Sequence, residues 1–139
     1  MRLEVIGNME SAEMVDRLRY AIHDCNYEEC NFYINRIKKD EICVLACFIE
    51  NDLAAGMYIS NYLNSLYVEK LFVKESFRKQ GIASNMINYV INNKEYFENF
   101  FNQKIDYSRL EPNSNLTIDI YRKLGYRGPD NLNIMKRRI

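Results

Sequence analysis

Residues 78–83 read Arg-Lys-Gln-Gly-Ile-Ala and lie between a strand-like stretch, Leu66 to Val73, and a helix-like stretch, Ile82 to Asn92. Such a turn is suited to hold a pyrophosphate. Gly81 carries no Cβ, so the backbone can approach a ligand closely. The first amides of the following helix have no intrahelical partner and point at an anion under a favourable dipole. Arg78 adds a fixed positive charge. An Arg-rich turn ending in Gly also serves simply to start a helix, so its meaning depends on context. Two other phosphate loops are excluded, because the chain has neither the Gly-Lys-Ser/Thr ending of a Walker loop nor the three glycines of a dinucleotide fold.

The elements that must position this turn follow from periodicity. Arg2 to Ile6 alternates as a short strand, and Ser11 suits the N-cap of a helix with the stripe Met14, Val15, Leu18, Ala21, Ile22 and Cys25. A second helix is expected over Glu29 to Lys38. Ile42 to Ile49 is the most apolar segment and reads as a buried strand; Asn51-Asp52 turns it into Ala54 to Tyr62, and Ser65 to Val73 completes a meander. After the loop, Ile82, Met86, Ile87, Val90 and Ile91 share a helical face that suits the core. Lys104 to Leu110 reads as a strand, Leu116 to Leu124 as a helix closed by Gly125, and Leu132 to Arg138 as the last strand. No linker or repeat divides this order, so residues 1–139 are expected to form one α/β domain with a mixed sheet and helices on both faces.

Composition sets bounds. The chain has 139 residues, enough for one core but short for two. Nineteen basic residues balance nineteen acidic ones, so no global field draws nucleic acid or an anionic membrane. Lys136-Arg137-Arg138 is expected to be a solvated strand end. No apolar stretch reaches membrane-span length and no secretory signal opens the chain, so a cytoplasmic protein is expected. Cys25, Cys30, Cys43 and Cys47 lack Cys-x-x-Cys spacing, and Cys43 and Cys47 alternate with Leu45 on one strand face, where thiols pack as small apolar groups. No metal site is expected. His23, the only histidine, reads as a surface or edge residue.

The turn at 78–83 fits the pattern Arg/Gln-x-x-Gly-x-Gly/Ala, entered from Val68-Glu69-Lys70-Leu71-Phe72-Val73 and followed later by Ile120-Tyr121-Arg122-Lys123-Leu124-Gly125-Tyr126. In this order the three segments resemble the GNAT superfamily of acyl-CoA-dependent N-acyltransferases, and the match spans Leu66 to Tyr126, close to half of the chain. The resemblance implies a GNAT-like fold with a central mixed, mostly antiparallel sheet. It implies acetyl-CoA as cosubstrate and a primary amine of a small molecule or peptide as acceptor; a homodimer stays open. Leu71, Phe72 and Val73 would offer backbone groups to the pantetheine arm. Lys79, Gln80, Gly81, Ile82, Ala83 and Ser84 would hold the pyrophosphate, with Arg78 beside them. Lys79 stands where many members carry glycine, which is tolerable if Lys79 has an ordinary φ.

Tyr121 matches the tyrosine that the family places beside the thioester sulfur, as general acid for the leaving thiolate; its other role would be packing against the sheet. Ser114 and Thr117 occupy positions where members commonly carry Asn and Ala. They are candidate cofactor contacts, and Ser114 equally suits a helix N-cap. Glu69 is the candidate general base, at a position where some members use a carboxylate. Its side chain is expected to share a strand face with Tyr67, Leu71 and Val73, among apolar neighbours that favour proton acceptance; an ion pair with a lysine across the sheet is the competing role. The acceptor would enter between residues 24–33 and residues 128–132. A silent acyl-CoA sensor of the same fold and an unrelated α/β interaction protein are the competing classes.

Overall fold

The computed structural model describes residues 1–6 and 27–139. The helix expected after Ser11, together with His23 and Cys25, lies outside the described residues. Six strands form one sheet in the order β1 (Arg2–Ile6), β2 (Ile42–Ile49), β3 (Asp52–Tyr62), β4 (Ser65–Val73), β5 (Tyr107–Leu110) and β6 (Met135–Arg138). Every neighbouring pair is antiparallel except β4 and β5, which run parallel. A parallel pair needs a long crossover. Here it contains the turn at 78–81 and helices α2 (Ile82–Asn92) and α3 (Lys94–Phe101). Helix α1 (Tyr27–Lys38) precedes β2, and α4 (Asn115–Lys123) joins β5 to β6.

The central strands are apolar at nearly every position because both sheet faces are covered. On β2, Cys43, Leu45 and Cys47 enter one core with Ile82, Met86, Ile87 and Val90 of α2 and Phe97 of α3. Ile42, Val44, Ala46 and Phe48 enter the opposite core with Tyr33 and Ile37 of α1, where Tyr33 stacks on Tyr58 at 4.6 Å. Burial pushes the Cys43 thiol up to about 12, so it remains protonated and packs as a small apolar group.

Several boundaries differ from the sequence reading. Helix α3 was not expected, although Phe97, Phe100 and Phe101 keep helical spacing and pack into or against the core. Strand β5 starts at Tyr107 rather than Lys104, because Ile105 donates to the Glu98 carboxylate and Asp106 to the Asn64 carbonyl. Strand β6 starts at Met135 rather than Leu132. The amides of Leu132 and Ile134 both donate to the Asp130 carboxylate, at 2.9 and 3.0 Å, and this side-chain turn replaces a strand ladder. Among the described residues, no helix is long and apolar enough to cross a membrane.

Candidate functional site

Two irregularities of β4 build the site. The first is a bulge. Lys70 pairs with Tyr58 and Val68 with Ile59, so Glu69 has no partner on β3. The extra residue resets the alternation of side chains. Leu66 and Val68 before it, and Leu71 and Val73 after it, all join the core beneath α2, while Phe72 joins the core beneath α1. Glu69 therefore does not share a face with Leu71 and Val73. That expectation assumed an unbroken period of two, which the bulge interrupts.

The second irregularity is an early end to β5. Pairing runs from Ser65 opposite Tyr107 to Val68 opposite Leu110 and stops there, so among the described residues no strand pairs with the β5-side edge of residues 69–73. The Lys74 amide donates to the Ala54 carbonyl at 2.9 Å, which sets the phase of the β3–β4 ladder. Leu71 and Val73 consequently turn their amides and carbonyls to the β5-side edge, whereas those of Phe72 face β3. Of Leu71, Phe72 and Val73, each expected to offer backbone groups to a ligand arm, Phe72 thus differs from the other two in direction. Arg78 Nε donates to the Val73 carbonyl at 2.9 Å, which ties the turn to the end of the strand.

The chain continues through a 3-10 turn, Glu75–Phe77, into the segment at 78–81. Gly81, at φ +75°, is the N-cap of α2 and supplies no capping side chain. The first helical bond runs from Asn85 N to Gly81 O, so the amides of Ile82, Ala83 and Ser84 precede the ladder. Lys79 has φ +65°, so the condition of an ordinary φ is not met. The left-handed conformation costs a side-chain-bearing residue about 1–2 kcal/mol. Lys79→Gly should leave stability unchanged or raise it by up to about 1 kcal/mol in urea denaturation, since relief of strain is partly offset by a looser unfolded chain. A marked loss would show that the Lys79 side chain holds the turn.

Tyr121 lies on α4 and is half-buried against the core that includes α2. Burial raises its pKa above the ordinary phenol value. Its ring is 6.1 Å from that of Tyr126, whose hydroxyl is spent in a buried 2.7 Å hydrogen bond with Ser108. Tyr126 packs in the core; among the described residues the Tyr121 hydroxyl makes no such bond. Ser114 caps α4: its Oγ accepts from the Thr117 amide, and the Thr117 hydroxyl receives the Ser114 amide and donates to the Asn113 side chain. The side-chain oxygens of Ser114 and Thr117 are thus engaged within the cap.

Glu69 meets Arg36 of α1. Two guanidinium nitrogens donate to its two oxygens at 2.6 and 2.8 Å, with the two side chains 21% and 16% exposed. The partner is an arginine from a helix, not a lysine across the sheet. The bond to Glu69 is the main cause of a raised Arg36 pKa. Glu111 follows Leu110 where β4 and β5 part, and its charge, after burial, helps raise the pKa of Tyr67. Sequence reasoning singled out neither Arg36 nor Glu111. Glu111 was accessible to it, standing directly after the expected strand; the Arg36 contact spans 33 positions with no local signal.

The family model for the acetyltransferase (GNAT) domain matches residues 28–128. Among solved structures, the PaiA N-acetyltransferase of Thermoplasma acidophilum in complex with coenzyme A is similar at TM-score 0.64 and 14% identity, over 100% of both chains. The ribosomal-protein-S18-alanine N-acetyltransferase of Escherichia coli is similar at TM-score 0.70 and 14% identity, over 99% of this chain and 94% of that one. A GNAT family acetyltransferase of Elizabethkingia anophelis with acetyl-CoA bound gives 0.70 and 15%, over 99% and 98%. At these identities the likeness speaks for the fold. The family match, covering most of the chain and containing the β5-side edge of β4, the turn and Tyr121, shows that this protein belongs to the GNAT acetyltransferases.

Proposed function

We propose that the protein transfers an acetyl group from acetyl-CoA to a primary amine of a small molecule or peptide by direct attack in a ternary complex. The edge of β4 beyond β5, with the Leu71 and Val73 backbone groups turned outward beside the amides of Ile82, Ala83 and Ser84 that precede the α2 ladder, carries this reading. It suits a ligand that has an amide-bearing arm and a pyrophosphate, as acetyl-CoA does; the acetyl thioester supplies the electrophile. Leu71 and Val73 bind the arm as a further strand would. The α2 amides and Lys79, Gln80 and Gly81 hold the pyrophosphate, with Arg78 bracing the turn. Coenzyme A in the Thermoplasma neighbour and acetyl-CoA in the Elizabethkingia neighbour support this assignment.

The amine must lose a proton before it has a lone pair to attack with. As its nitrogen bonds to the acetyl carbon, the carbon–sulfur bond breaks and the departing thiolate takes a proton. Tyr121 supplies that proton from its phenol. Glu69 accepts the amine's proton, directly or through water, with the lone pairs that Arg36 leaves free.

Acetyl-CoA should raise the melting temperature, and a screen of amines read by thiol release should find an acceptor. No thermal shift and no release would overturn the reading. With the acceptor identified, Glu69→Gln should slow turnover mainly near neutral pH and recover in alkaline buffer, where more of the amine is already deprotonated. An unaltered pH profile would leave Glu69 with a structural role only.

A further inference from the structure

Glu69 is the bulged residue of β4 and therefore lacks the cross-strand neighbour that normally steadies a side chain in a sheet. Three rotatable bonds separate its carboxylate from the backbone, so an unsupported Glu69 would sample many positions. Arg36 removes that freedom. Its planar fork meets both carboxylate oxygens at 2.6 and 2.8 Å, an arrangement that sets the plane of the carboxylate as well as its location. The guanidinium is itself held, 5.0 Å over the Phe32 ring and 3.6 Å from a Glu41 oxygen. The helix bearing Arg36 and Phe32 is attached to the sheet through Tyr33 and Ile37 in the core.

We propose that Arg36 is a positioning residue for acetyl transfer: it aims the Glu69 carboxylate at the parting of β4 and β5 and couples α1 to the reacting end of β4. The two oxygens use one acceptor site each on the fork, and the outward lone pairs remain for the proton leaving the amine. Lysine at this position would supply a point charge without the fork, so it would keep the attraction and lose the aim. The inference rests on the acetyltransferase reading above.

The test uses the full chain with acetyl-CoA and a panel of n-butylamine, a linear diamine and an unblocked alanyl peptide, taking the fastest acceptor of the parent. Arg36→Gln should lower kcat by about 10- to 100-fold, the scale of a misplaced catalytic group, with KM for acetyl-CoA within about twofold of the parent. Arg36→Lys should keep the parent's melting temperature and still lose most of that rate. In a Glu69→Gln background, Arg36→Gln should cost no further rate, because the group it aims is gone. Parent-like kcat in Arg36→Gln, or losses that multiply in the double variant, would overturn the proposal. Should Arg36→Gln not fold, Arg36→Lys decides alone, and full activity in that variant overturns it. A parent inactive with every amine would sink the acetyltransferase reading and this inference together, an outcome distinct from an active parent with indifferent variants.

Discussion

Gly81→Glu should abolish acetyl-CoA binding, weakening it by at least about 100-fold in calorimetry, because like-charge contact costs several kcal/mol and each 1.4 kcal/mol is a factor of ten. The new carboxylate would lie at the start of α2, where the amides of Ile82, Ala83 and Ser84 precede the helical ladder and, in the proposed site, meet the pyrophosphate. The fold should survive. Among the described residues, a Cβ built on Gly81 meets no atom within 4 Å beyond its chain neighbours and its own helix backbone, so the penalty is mainly the left-handed φ of +75°, about 1–2 kcal/mol. Gly81→Ala bears the same backbone strain without the charge and separates the two effects. Its affinity should fall far less than that of the glutamate variant. Equal affinities of Gly81→Glu and the parent would remove this turn from the cofactor site.

Tyr121→Phe should lower kcat by about 10- to 1,000-fold and leave acetyl-CoA affinity nearly unchanged, since the ring and its packing persist while the transferable proton is lost. Stability should move by less than about 0.5 kcal/mol, because no hydrogen bond of the hydroxyl within the described residues is broken. Burial favours the neutral phenol, so the Tyr121 proton is retained through neutral pH and leaves only above the ordinary phenol value near 10. The parent's kcat should accordingly keep an acid form available across pH 6–9, with an alkaline decline above that range which the phenylalanine variant lacks. Parent-like kcat in Tyr121→Phe, with chemistry shown to be rate-limiting, would eliminate it as the acid.

The three segments that brought the family to notice were legible because each is written locally. The turn residues of 78–83 follow an apolar strand and precede a helical stripe, and Tyr121 stands in a short helix with Gly125 just beyond its end, at φ +92°. Strand β2 matched its expected span, since eight consecutive apolar residues leave little choice of element. Helix α3 also had a periodic signal in its phenylalanines, but Lys94, Glu95, Glu98 and the flanking asparagines gave the segment the composition of a connection. The late start of β6 was hidden for a different reason. Asp130 captures two amides that the apolar pattern assigned to a strand, and a side chain's choice of backbone partner is not encoded by periodicity.

From the sequence alone came the kind of fold and the places of the turn and the tyrosine that we propose as anion site and acid, because spacing along the chain determines periodicity and local conformation. The tertiary structure decided which groups face one another. A single bulged residue moved Glu69 off the face of Leu71 and Val73 and toward Arg36. The short β5 left the second half of β4 without a paired strand on that side among the described residues, and ladder phase selected Leu71 and Val73, not Phe72, to present backbone groups there. These outcomes depend on register between strands and on contacts across tens of residues, where the competing arrangements have similar local patterns and only the packed sheet distinguishes them.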